Sequence, residues 1–182
     1  MKKLLFFSVC LFTVTAAAVE LPIVASKTGF PRAFSSNPRN SKMIVCSVDA
    51  SGKCVIKMDA QEKLQSLLSG TRVKLAEKDK VKIMITGKGK GSISFGMHIY
   101  DSNKANRFIG SVYQREQKVN EKVTQYSFEG VVPKNPREKS SFDRPGIGLV
   151  FIQVKKGGVF QVEKIHYEIV KAPEEKVEIP EF

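Results

Sequence analysis

The chain has no tryptophan, two histidines and three cysteines in 182 residues. Each shortage removes a class of chemistry. Without tryptophan, a flat contact to a ligand ring must come from tyrosine or histidine. His98 and His166, even with the cysteines, do not make a recognisable four-ligand zinc spacing. No Gly-x-Ser-x-Gly stretch offers a nucleophile elbow. Asp49, Asp79, Asp101, Asp143 and the glutamates lie mostly in loops or on lysine-rich edges. No opposed pair stands out for glycoside hydrolysis. Nor does any apolar run reach the roughly 20 residues of a transmembrane helix. Neither an enzyme nor a membrane span is expected.

What is present begins with export. Lys2 and Lys3 precede an apolar run from Leu4 to Val14, and Ala16-Ala17-Ala18 supplies the small residues of a cleavage site. Residues 1–18 are expected to be a cleaved signal peptide, which places the protein outside the cytoplasm: secreted, periplasmic or at the cell surface. An uncleaved anchor or a buried N-terminal strand is the alternative. Cys10 lies inside the apolar run after Val9, which does not suit a lipoprotein. The leader carries two lysines and no acids, so the formal charge falls from +12 to +10 on cleavage. Cys46 and Cys54 then remain, in CSVDASGKC. An isolated pair in an exported chain is expected to form a disulfide across a hairpin.

Along the chain, residues 19–41 are broken by Pro22, Gly29, Pro31, Asn37-Pro38 and Asn40 and read as an irregular segment. From residue 42 short apolar runs alternate with period two. Met43 to Val48 and Cys54 to Met58, joined by Asp49-Ala50-Ser51-Gly52, read as a hairpin. Asp59 and Glu62 resemble a capping box, with Leu64, Leu67 and Leu68 on one face and Gly70 as a stop. A short helix near residues 60–68, or a bulged strand, is expected there. Further strands are expected at 81–85, 92–100, 108–115, 123–132, 147–154 and 159–170. Residues 42–170 thus form one all-β domain, an antiparallel β-sandwich of jelly-roll type. Residues 171–182, KAPEEKVEIPEF, read as a tail.

Gly87-Lys88-Gly89-Lys90-Gly91-Ser92 imitates a phosphate loop. A phosphate loop requires Gly-Lys-Ser or Gly-Lys-Thr followed by a helix. Here Gly91 separates Lys90 from Ser92, and the residues from Ser92 alternate as a strand. The glycines read instead as hairpin-turn residues. Lysines and arginines are scattered over the turns with no basic helix or aromatic-basic interleave, so nucleic acid is not an expected partner. Outside the cell the same charge attracts anionic glycans.

The order of the segments resembles the galactose-binding-like jelly rolls, specifically the carbohydrate-binding modules associated with cellulases and xylanases. KIMITGKGKG (82–91) resembles that family's strand and glycine turn, and SISFGMHIYDSNKANRFIGS (92–111) its next hairpin. Thr124 to Phe128, leading to Val131-Val132-Pro133, resembles the following segment. The stretch from Ile147 to Val170, with its Gly-Gly turn, resembles the closing hairpin. The resemblance implies a sandwich that binds a polysaccharide or cell-surface glycan without catalysis. There are departures. Val123 stands where the family has an aromatic residue, and tryptophan is missing. Val162-Glu163-Lys164-Ile165 stands where the family often has paired aspartates that help hold a structural calcium, and Lys164 would repel a cation. No cofactor is expected.

Alternation puts His98 and Tyr100 on the face of their strand opposite Ile93, Phe95, Met97 and Ile99. On the next strand Ile109, Ser111, Tyr113 and Arg115 share a face. If the hairpin keeps register, His98, Tyr100, Arg107, Tyr113 and Arg115 gather into one carbohydrate-binding patch. The alternative is that Tyr100 and Tyr113 are ordinary half-buried sheet residues and His98 a solvated one. Tyr126, Phe128 and Tyr167 read as core. A rival function is a structural or assembly protein that uses the sandwich to hold a partner protein.

Overall fold

A computed structural model describes residues 17–36, 43–101, 107–133 and 146–173. Residues 1–16 of the expected leader (1–18) and residues 174–182 of the expected tail (171–182) lie outside the described residues. Among the described residues, twelve strands form two six-stranded sheets in which every pairing is antiparallel.

The first sheet contains β1 (Val19–Glu20), β3 (Ile44–Val48), β4 (Cys54–Ala60), β7 (Lys80–Lys90), β10 (Thr124–Val131) and β12 (Gly158–Val170). Its order is β10-β7-β12-β4-β3, with β1 also paired to β12. The second sheet contains β2 (Phe34–Ser36), β5 (Gln65–Ser69), β6 (Val73–Leu75), β8 (Ser92–Asp101), β9 (Phe108–Lys118) and β11 (Gly146–Val154). Its order is β2-β5-β11-β8-β9, with β6 also paired to β11. The irregular N-terminal stretch therefore supplies two short strands, and its Leu21 is buried in the core.

The core lies between the sheets and follows from alternation. Val81, Ile83 and Ile85 of β7 and Phe160, Val162 and Ile165 of β12 face Ile93, Phe95, Met97 and Ile99 of β8 and Val150, Ile152 and Val154 of β11. Nearly all of these side chains are completely shielded from solvent. Each contributes roughly 1.5–3 kcal/mol of burial free energy before the cost of ordering it. Tyr126 and Tyr167 join the core, and Phe128 packs against it.

Three expectations need correction. Among the described residues the 60–68 region holds no helix: β4 runs to Ala60 and β5 begins at Gln65. The polar atoms that suggested a helix cap form a turn instead, with Gln61 N–H donating to Asp59 Oδ1 at 3.2 Å. Gln65, Leu67 and Ser69 then face inward, while Leu64 is exposed.

The glycine run does not make a hairpin. β7 belongs to the first sheet and β8 to the second, so the chain changes sheets at Gly91. Gly91 has φ +90°, and a Cβ there would lie 2.8 Å from the Gly158 Cα. Gly87 leaves room for the Phe160 ring, which a Cβ would approach to 2.7 Å. The segment 155–158 crosses in the same way, from β11 to β12.

Cys46 and Cys54 are free thiols rather than a disulfide. They lie on the β3–β4 hairpin, which forms as the sequence indicated, but its register sets Cys46 opposite Ile56 and Cys54 opposite Val48. The two sulfurs are therefore diagonal neighbours. Burial pushes the Cys46 thiol up from its ordinary pKa, and the adjacent Cys54 adds to the rise.

Among the described residues no helix is long and apolar enough to cross a membrane.

Candidate functional site

The second sheet has an outer face opposite the core. On β8 that face carries Ser94, Gly96, His98 and Tyr100, because their odd-numbered neighbours point inward. The register with β11 sets Ile147 beside Tyr100, Leu149 beside His98, Phe151 beside Gly96 and Gln153 beside Ser94. The register with β9 sets Phe108 beside Tyr100, Ser111 beside His98 and Tyr113 beside Gly96. The inner faces of β8 and β11 are apolar, and their outer faces mix apolar and aromatic side chains with Ser94, His98 and Gln153. One face is used by the core, and the other carries aromatic rings without a covering layer among the described residues.

The rings touch in a continuous band. His98 stacks on Phe151 with centroids 3.9 Å apart and planes 9° from parallel. Phe108 meets His98 edge-on at 5.6 Å and Tyr100 edge-on at 5.7 Å. Tyr113 lies 5.9 Å from Phe151 on its other side. Phe151 is only 2% exposed, covered by its neighbours, whereas Phe108 is 50% and Tyr113 40% exposed. Phe151 is therefore a foundation, and Phe108 and Tyr113 are the rings offered to solvent. Gly96 and Tyr100, the β8 positions opposite them, are four residue steps apart, which sets the two about 13 Å apart along the strand.

His98 is oriented by a 2.7 Å hydrogen bond between Nδ1 and the Ser111 hydroxyl. Burial pushes its pKa below the ordinary histidine range, so the ring is neutral at pH 7. A neutral imidazole keeps one donor and one acceptor nitrogen. With Nδ1 occupied by Ser111, Nε2 remains for a second partner.

The residues proposed from sequence separate into two groups. His98, Tyr100 and Tyr113 come together on this face. Arg115 is exposed at a bulge in β9 near Ser94, whose hydroxyl donates to the Arg115 carbonyl. Arg107 is exposed immediately before β9, and its carbonyl accepts the Asp101 N–H. Both arginines border the aromatic band rather than enter it.

Phe108, Phe151, Ser111 as a partner to His98, and Lys74 were not singled out. Lys74 lies in one row with Ile147, Tyr100 and Phe108. A second register shift, between Ile99 and Tyr100, explains the omission of Phe108. Simple alternation from Tyr113 puts Ile109 on the outer face; the shift brings Phe108 there and lets Ile109 pack against the core. Phe151 was readable from LVFIQV, where alternation with Val150 and Ile152 places it outward.

The β12 bulge lies between Val162 and Lys164, where the resemblance pointed to calcium. Val162 faces the core and Lys164 brings an ammonium, so these residues do not fit the ion. Among the described residues no three His, Cys, Asp or Glu side chains gather in a way that could hold a metal.

No protein-family model and no curated protein sequence matches the chain. Solved structures do share its fold. The CBM22-1 xylan-binding domain of Paenibacillus barcinonensis Xyn10C aligns with TM-score 0.53 at 11% identity, covering 87% of this chain and 99% of that one. The enzymatically active domain of tailspike protein 4 from bacteriophage CBA120 aligns with TM-score 0.52 at 10% identity over 76% of this chain, which spans 20% of the tailspike chain. The Stig cyclase Fisc from Fischerella sp. TAU aligns with TM-score 0.50 at 9% identity, covering 86% of this chain and all of that one. Binding domains and enzymes both occur on this architecture, and identities this low speak to fold alone. The chain has the jelly-roll sandwich fold of the carbohydrate-binding modules it resembles in sequence order.

Proposed function

We propose that the protein is an exported, non-catalytic binder of polysaccharide and that the aromatic face of the second sheet is its binding surface. The observation that carries this reading is the pair of exposed rings, Phe108 and Tyr113, beside a stack of buried Phe151 and half-buried His98. Sugar rings present flat C–H faces to aromatic side chains and hydroxyls to planar polar groups. His98 Nε2, Ser111, Gln153 and the Tyr hydroxyls supply the second kind of contact. Lys74, Arg107 and Arg115 border the band with positive charge against exposed Glu116 beside Arg115, and the outward positions on β8 and β11 carry no acid. That charge balance favours acidic glycans over neutral ones. The CBM22-1 neighbour, a xylan-binding domain by its description, is consistent with a polysaccharide ligand.

A glycan array carrying neutral, uronic-acid and sulfated polymers tests the reading. Retention should be strongest on acidic polymers at low salt and should weaken as salt screens the charges. No retention on any polymer at low salt would remove it. The second reading is a docking face for a partner protein, favoured by the adjoining apolar Leu68, Ile147 and Leu149. In that case one protein should dominate a pulldown while the array stays blank.

A further inference from the structure

The opposite sheet contains a depression of about 320 Å³ that the reading above does not use. It opens on the outer face of the first sheet and is lined by Lys80, Lys82, Glu129, Val131, Glu168 and Val170, among others. The register arranges these six as two rows of three. Val131, Lys80 and Val170 form one row, and Glu129, Lys82 and Glu168 the next. The valines are exposed, at 54% and 40%. Lys82 lies between the two carboxylates, 3.7 Å from Glu129 and 3.9 Å from Glu168. Those separations exceed hydrogen-bond length, so the carboxylate oxygens keep capacity to accept from a ligand.

One buried residue holds the three strand ends that form this site. Asp79 precedes Lys80, and its side chain is 2% exposed. Its carboxylate accepts from Ala76 N–H at 2.8 Å, Ala172 N–H at 3.0 Å and Lys171 Nζ at 2.8 Å. Ala172 and Lys171 directly follow Val170. The Asp79 carbonyl accepts from Val132 N–H at 2.8 Å, and Val132 follows Val131. Lys80, Val131 and Val170 are thus tied to the same anchor. The anchor fixes the backbone of the strand ends, so a ligand would have to order only the lining side chains.

From this arrangement we infer a second ligand site that takes a single uncharged, polyhydroxylated ring. Two ammonium and two carboxylate groups cancel in charge, so neither a cation nor an anion is favoured. Hydroxyls donate to Glu129 and Glu168 and accept from Lys80 and Lys82. The valine methyls contact the C–H face of the ring. The volume is at the low end of the roughly 300–1,000 Å³ typical of small-molecule sites, which suits one sugar unit. The inference borrows its ligand class from the polysaccharide reading but none of its residues. With sites on both outer faces, one molecule would bridge two glycan chains.

The test is an amide-resolved NMR titration of the full exported chain with xylose, galactose and glucose, and separately with soluble xylan. Saturable shifts at Lys80, Val131 and Val170 with at least one monosaccharide are expected. They should persist in Phe108→Ala and weaken at least tenfold in a Glu129→Gln, Glu168→Gln double variant. Absence of shifts at these three amides with all three sugars would overturn the inference. Shifts confined to Tyr100, Phe108 and Tyr113 would overturn it while leaving the aromatic face in place. Shifts confined to the depression would support it and count against the aromatic face.

Discussion

At the scale of single residues, the aromatic face separates side chains that support from side chains that contact. Phe151 is buried beneath His98 and Tyr113 although it lies outside the core. Phe151→Ala should lower stability by about 3 kcal/mol, measured by denaturant unfolding. Phe108→Ala removes a half-exposed ring and should leave stability within roughly 1 kcal/mol of wild type. If Phe108→Ala unfolds the protein, the ring belongs to the packing and not to a ligand surface. His98 adds a pH dependence. Its pKa is depressed in the folded state by burial. The unfolded chain therefore takes up this proton first as pH falls below about 6.5. Stability should decline from there until the lower folded value is passed. Melting temperature against pH should show that decline in wild type and a flatter profile in His98→Gln. Among the thiols, half-buried Cys54 should alkylate before buried Cys46, whose pKa is raised; mass spectrometry at short reaction times reads the order.

At the scale of elements, alternation made most strands legible and local irregularities hid the rest. β8 and β11 match the expected runs because each carries a period-two pattern, and β12 does so on either side of its bulge between Val162 and Lys164. For residues 60–68 the sequence left a short helix and a bulged strand open, a strand forms there, and the helix reading rested on leucine spacing. It failed because Gln65 and Ser69, polar in sequence, are the residues turned inward. Ser69 does so because its hydroxyl accepts the Val150 N–H of β11 at 3.0 Å. The glycine turns were read as hairpins since a sequence shows that a chain reverses, not which sheet receives it. Phe108 was missed because a register shift is invisible to simple parity. Asp79 was noted only as a loop acid; its hydrogen bonds bring together residues more than 90 positions apart. Asp79→Ala should cost roughly 2–4 kcal/mol by orphaning the Ala76 and Ala172 N–H groups. A smaller loss in chemical denaturation would show that water replaces the carboxylate.

At the scale of the whole molecule, two sheets close one core and leave two unlike outer faces. The second sheet is aromatic and bordered by cations. The first is laced with ion pairs, including Lys82 with Glu129 and Glu168, and Lys90 with Glu121 at 3.2 Å. Surface pairs of this kind add little stability, so the fold does not depend on them. The sandwich was legible from the sequence, as was half of the aromatic face; charge alone could not say which face carries the rings. The most direct measurement is titration calorimetry of the wild type and a Phe108→Ala, Tyr113→Ala double variant against a soluble acidic polysaccharide, with melting temperatures recorded alongside. The account predicts saturable binding by the wild type and at least a tenfold loss in the double variant at nearly unchanged melting temperature. Equal binding by the two proteins, or none by the wild type, would contradict it.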